Sequence, residues 1–189
     1  MRQTTAVFIT AALLVSACSG SPSGPSGATG TLHLRLTDSP FSDAQAVLVT
    51  FSAVTAHRAE SDWTSVPFAA AATSRTCDLK KLETAQDVLG TGPLPAGKYT
   101  QLRLMVASAT IYFDNPSSGP ACAPAIAPPA GTSASVEIPS GEVKLNRGFE
   151  LAADGATTML LDFDGDRSLR LTGNGRYMMT PVIAVVSVE

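Results

Sequence analysis

Histidine is scarce in this chain, two in 189 residues, and so are tryptophan, present once, and cysteine, present three times. Each shortage removes a class of chemistry. A nucleophilic hydrolase needs an imidazole or equivalent base beside its nucleophile, and only His33 and His57 are on offer. There is no Gly-x-Ser-x-Gly elbow, no His-Glu-x-x-His pair and no phosphate-binding glycine loop. Aromatic residues make up 6% of the chain and basic residues form no cluster interleaved with them, so nucleic acid is not an expected partner. No apolar run reaches the roughly 20 residues of a membrane span. Apolar positions at helical spacing are almost missing as well, which sets aside a helical bundle or an α/β fold.

What the chain does have begins at its N-terminus. Arg2 precedes an apolar run from Ala6 to Leu14, followed by Val15-Ser16-Ala17-Cys18. A short apolar segment behind a positive charge reads as a signal peptide, and small residues at Ser16 and Ala17 suit a peptidase cleft. The order aliphatic, small, small, Cys resembles the lipobox of bacterial lipoproteins, which assigns 1–17 as signal peptide and Cys18 as the lipidated first residue. Membrane attachment through acyl chains on Cys18 follows. Ser19 stands where the usual inner-membrane retention signal is Asp, so the outer membrane is expected rather than the inner one. Residues 18–30 are a tether, since Ser19 to Gly30 contains only Ser, Gly, Pro, Ala and Thr and nothing large to bury.

Removal of 17 residues leaves 172 of 189, one domain of ordinary size spanning 31–189. Of 13 basic residues only Arg2 is lost, so the mature chain has 12 basic and 16 acidic residues and a formal charge of −4. With Cys18 committed to lipid, Cys77 and Cys122 remain, in a compartment that favours oxidation. A disulfide between them would close a loop of roughly 45 residues and add about 3 to 4 kcal/mol in the loop-entropy description. Two buried free thiols are the alternative. A metal site is disfavoured because no further Cys or His stands nearby.

From Thr31 the pattern alternates. Leu32, Leu34 and Leu36 point one way and Thr31, His33 and Arg35 the other, as in a half-buried strand. Ala46 to Ala56 places Val47, Val49 and Phe51 on one face, with Trp63 to Phe68 as its hairpin partner. Lys80 to Leu89 is the one stretch with room for a helical turn. Leu94 to Tyr99 is a turn opening a long strand, Thr100 to Phe113, in which Leu102, Leu104 and Val106 alternate with Arg103, Met105 and Ala107. A Pro- and Gly-rich loop spans Ser117 to Thr132, and further strands are expected at 134–138, 142–151, 157–163, 169–172 and 177–188. The last is nearly continuous in apolar residues and reads as a central strand, although Pro181 argues against it. The pattern describes an all-β fold, an antiparallel sandwich of roughly seven to nine strands.

Several segments in order, Leu34-Arg35-Leu36-Thr37-Asp38-Ser39-Pro40-Phe41, Val49-Thr50-Phe51-Ser52, Leu94-Pro95-Ala96-Gly97-Lys98-Tyr99, Ile138-Pro139-Ser140-Gly141, Lys144-Leu145-Asn146, Leu161-Asp162-Phe163-Asp164 and Pro181-Val182-Ile183, resemble the domain of unknown function 4382 family of bacterial lipoproteins. The resemblance covers about 30–186. It implies a β-sandwich like the transthyretin and carboxypeptidase-regulatory domains, and it brings no activity.

Three side-chain groups remain as candidates. Asp162, Asp164 and Asp166 at i, i+2 and i+4 resemble the start of a calcium loop, but Arg167 holds the sixth position where an EF-hand has glycine and Gly173 holds the twelfth where it has Glu, so a solvated turn is preferred and no cofactor is expected. His33 and His57 read as surface histidines, leaving a hydrolase as the minor alternative to a non-enzyme. Trp63, Tyr99, Tyr112 and Tyr177 could form a stacking platform for a glycan, with Trp63 and Tyr112 the best placed, although core packing or a tyrosine corner explains each more simply. The expected function is a non-catalytic cell-envelope module that binds a protein or a polysaccharide, with a carbohydrate-binding module as the alternative.

Overall fold

The computed structural model describes residues 27–39 and 43–189. The signal peptide, Cys18 and most of the tether lie outside the described residues, as do Pro40 to Ser42. In chain order the elements are β1 (Thr29–Ser39), β2 (Ala46–Arg58), β3 (Trp63–Ser65), β4 (Arg75–Asp78), α1 (Leu79–Leu82), β5 (Asp87–Pro95), β6 (Gly97–Tyr112), β7 (Cys122–Ala123), β8 (Ser133–Glu137), β9 (Glu142–Leu145), β10 (Phe149–Leu151), β11 (Ala156–Asp164), α2 (Gly165–Ser168), β12 (Leu169–Leu171), β13 (Tyr177–Met179) and β14 (Ile183–Val188). They form an all-β sandwich. The smaller sheet runs β14-β11-β1-β5; the larger runs β12-β13-β8-β6-β2-β4-β7, with β3 added to β2 and β9 and β10 to β6.

The core is the meeting of two apolar faces. Leu32, Leu34 and Leu36 of β1 and Met159, Leu161 and Phe163 of β11 are fully buried against Val49 and Phe51 of β2 and Leu102 and Leu104 of β6. Phe51 and Phe163 meet edge to face across the sheets at 6.4 Å, an arrangement the ring quadrupoles favour. In β2 the inward positions change from Val47, Val49 and Phe51 to Val54 and Ala56, and the pairing with β6 shifts register around Phe51. A bulge of this kind is how a strand changes the parity of its inward face without exposing apolar side chains.

The sequence reading needs four corrections here. There are fourteen strands among the described residues rather than seven to nine, because two expected strands are each split and β4, β5 and β7 are added. The expected strand 142–151 is two, and both lie along one edge of β6, β9 opposite Leu102 to Met105 and β10 opposite Gly97 to Tyr99. The sandwich is not wholly antiparallel, since β1 pairs β11 in parallel from Thr31↔Ala156 to Ser39↔Asp164. Turn signals inform only on strands adjacent in sequence, and these two are far apart. Finally, 177–188 is not one central strand. β13 belongs to the large sheet and β14 to the small one, with Pro181 in the crossing where its missing N–H breaks no ladder. β14 is an edge, and its Val186 is 58% exposed.

Three strands, β4, β5 and the two-residue β7, lie where the sequence showed none, and the single helical turn of α1 falls between β4 and β5. Cys77 and Cys122 are disulfide-bonded across the β4–β7 pair. Polar ties reinforce the same loop: Arg75 donates to the Cys122 carbonyl, the Cys122 N–H donates to Asp87, and Ser117 donates to the fully buried Asp78. No helix among the described residues is long and apolar enough to cross a membrane.

Candidate functional site

The inward alternation of β2 and β6 leaves their other side chains on the outer face of the large sheet, and β3 and β9 widen that face on either side. His57 stands opposite both Trp63 and Gln101, and Arg103 opposite both Thr55 and Lys144. Trp63 is half-buried, and its ring meets the His57 imidazole at 5.0 Å between centroids. The Arg103 guanidinium carbon lies 4.0 Å from the centre of the indole, a cation–π contact that holds both side chains against the sheet. Arg103 Nε is 2.8 Å from Glu142 Oε1, and Lys144 Nζ is 3.4 Å from the same oxygen. Gln101 donates to the side-chain carbonyl of Asn146.

This face continues into a groove. His57 Nδ1 and Thr100 Oγ1 are hydrogen-bonded at 2.9 Å, and Thr100, with Lys98, Gly148, Phe149 and Glu150, lines an open groove of about 490 Å³ along β6 and β10. That volume is in the range of small-ligand sites. Beneath it Tyr99 and Phe149 stack at 4.8 Å and close the core. The Tyr99 hydroxyl donates to the Pro95 carbonyl at 2.7 Å, so this tyrosine forms a corner, and burial pushes its phenol above the ordinary range.

The aromatics do not share one surface. Tyr99 is 1% exposed; Tyr112 is buried with Ala46 and Leu48; Tyr177 packs on Phe113 at 5.8 Å. Tyr112 lies on the outer sheet face too, opposite Ala46, but is covered there with Ile126 packed against its cluster, whereas Trp63 stays half-exposed, so the structure brings Trp63 and Tyr112 to different surroundings. The two histidines are also apart. His33, on the small sheet, is bonded to Thr91 at 2.9 Å, and His57, on the large one, to Thr100.

The three aspartates of the calcium-like segment separate. Asp162, on β11, accepts from Ser39 at 3.0 Å; Asp164 caps α2 by accepting the Arg167 N–H at 2.9 Å; Asp166 is exposed on α2. No group of three His, Cys, Asp or Glu side chains among the described residues is arranged to hold a metal ion. A carboxyl that sequence reasoning passed over is more unusual. Asp38 is 5% exposed, accepts the Gly165 N–H on Oδ1 at 3.1 Å, and has no partner for Oδ2. Burial raises its pKa from 3.8 to about 8, with Glu83 and Asp162 adding to the shift and the Gly165 bond and Lys80 opposing it.

Sequence reading found Trp63 and His57 but not Arg103, Lys144, Gln101 and Asn146 as their neighbours. The outward alternation of β6 was visible; the strand neighbours that complete the face come from register, which has no local signal. Comparison with curated proteins gives no match, and comparison with solved structures gives none. The family model for the domain of unknown function DUF4382 matches residues 29–181, and the chain belongs to that family.

Proposed function

We propose that this chain is a non-catalytic binding module, held at the cell envelope by acyl chains on Cys18, that meets its partner with the outer face of the large sheet. The observation that carries this is the continuity of the Trp63–His57–Arg103 cluster with the groove beside Thr100: a half-buried indole, a cation and a row of hydrogen-bonding side chains lead into a concave strip. Ligand sites combine such features, and the folded core has no need of them. A non-catalytic role is favoured because each imidazole is bonded to a threonine on its own sheet, far from the nucleophile–base–orienter arrangement of a hydrolase. Ser19 after the anchor directs the module to the outer membrane. Its partner is an envelope protein or polysaccharide.

In-cell crosslinking of tagged full-length protein, beside Cys18→Ser and Trp63→Ala, tests both halves. The expected result is a reproducible adduct that disappears in both variants. Membrane retention of Cys18→Ser at the level of the unaltered protein removes the anchor, and an undiminished adduct from Trp63→Ala removes the face.

A further inference from the structure

Resting on that assignment of the face, we infer that its ligand is an acidic polysaccharide, a chain of pyranose units that carries carboxylates. The first support is what the face does not contain. A protein-binding patch has a desolvated apolar centre, yet the large hydrophobic side chains that stand exposed among the described residues are Leu171 on β12 and Val186 on β14, neither of them on this face. Here a single indole meets His57 and Arg103 and shares its face with Gln101, Glu142, Lys144 and Asn146. A sugar ring presents the same mixture, an aliphatic C–H face for the indole and a rim of hydroxyls for amide and hydroxyl groups.

Charge selects the class of sugar. Arg103 and Lys144 both point at one carboxylate oxygen, Glu142 Oε1, so this triad keeps one positive charge in excess. Along the groove Lys98 and Glu150 lie opposite each other in register and balance. Arg103 brings that excess onto the indole ring, on a mature chain whose overall formal charge is −4, and Asp62, exposed in the turn before Trp63, is the acid that borders it. The side chain of Lys144 is 53% exposed, accessible to a carboxylate from outside. An open groove, joined to the indole through the His57–Thr100 pair, suits a polymer lying along the face better than a small molecule that must be enclosed.

Trp63 is the only tryptophan in the chain, so fluorescence excited beyond the tyrosine absorption band reports on this face alone. The mature full-length protein in detergent is titrated with polygalacturonate, alginate and hyaluronate as acidic probes and with dextran as a neutral one. The acidic chains are expected to change the emission saturably, to bind about tenfold more weakly when Lys144→Gln or Arg103→Gln is introduced, and to weaken as salt is raised. Lys144→Gln alters an exposed side chain, and an unchanged melting temperature checks its fold. Dextran binding as tightly as the acidic chains overturns the charge selection while leaving the face in place. If none of the four changes the emission, the polysaccharide assignment is overturned, and the crosslinking result with Trp63→Ala separately decides whether the face binds anything.

Discussion

Replacing Asp38 with Asn removes a pH dependence of stability that the fold builds into the end of β1. In the native protein the carboxyl is 5% exposed, one oxygen is held by the Gly165 N–H, and the other meets no donor, so burial raises the pKa from 3.8 to about 8. A raised native pKa means that the folded protein keeps a proton which the unfolded chain has released. The associated stability is fully present below about pH 4 and is lost as pH rises through about 8. At 1.36 kcal/mol per pH unit over about four units, the change is on the order of 5 kcal/mol as an upper bound. Asn keeps an acceptor for Gly165 and carries no charge, at a cost of about 1 to 2 kcal/mol for an amide N–H left unbonded. Urea unfolding of both proteins from pH 4.5 to 8.5 measures the difference. Asp38→Asn is expected to be equal or slightly weaker at the acid end, clearly more stable at the alkaline end, and flatter across the window. Parallel pH profiles for the two proteins would refute buried protonation of Asp38.

Three further substitutions test how the sandwich is held. Changing Cys77 and Cys122 together to Ala is expected to cost about 4 kcal/mol for a loop of 45 residues, seen as a lower melting temperature, while the loop stays docked through Asp87, Arg75 and Asp78; an unchanged melting temperature would contradict it. Gly141→Ala would put a methyl 2.0 Å from the Val106 carbonyl oxygen, in a turn whose own carbonyl accepts the Val106 N–H, and the loss is expected to exceed about 2 kcal/mol by urea unfolding. Tyr99→Phe leaves the stack on Phe149 and removes the bond to the Pro95 carbonyl, an expected loss of about 1 kcal/mol; no loss would mean that the corner bond contributes nothing.

The parts of the fold that declare themselves locally were legible. Leu32, Leu34 and Leu36 alternate because one face of β1 meets the core, and Leu102, Leu104 and Val106 do the same for β6. The cysteine pair follows from counting, whereas which aromatic makes the corner, Tyr99, came only from the structure. Parallel pairing of β1 with β11 was hidden because it joins segments more than a hundred residues apart. The apolar run from Tyr177 to Val188 misled because it serves two sheets in turn, with Met179 inside one and Ile183 inside the other. β5 was obscured by its glycines and prolines, which a strand accepts at the edge of a sheet. The same limit governed the candidate face. Trp63 could be named from its type, whereas Arg103, Lys144 and Asn146 join it only through the order β3-β2-β6-β9.

The most direct measurement places a photo-reactive amino acid at Ser65, exposed on β3 two residues from Trp63 and on the same face, and in a second protein at Leu171, exposed on β12, and irradiates intact cells that make each one. A binding module that works through the Trp63 face gives an adduct from position 65 that Trp63→Ala abolishes, with none from position 171. An adduct from position 171 alone, or one from position 65 that survives Trp63→Ala, would contradict it.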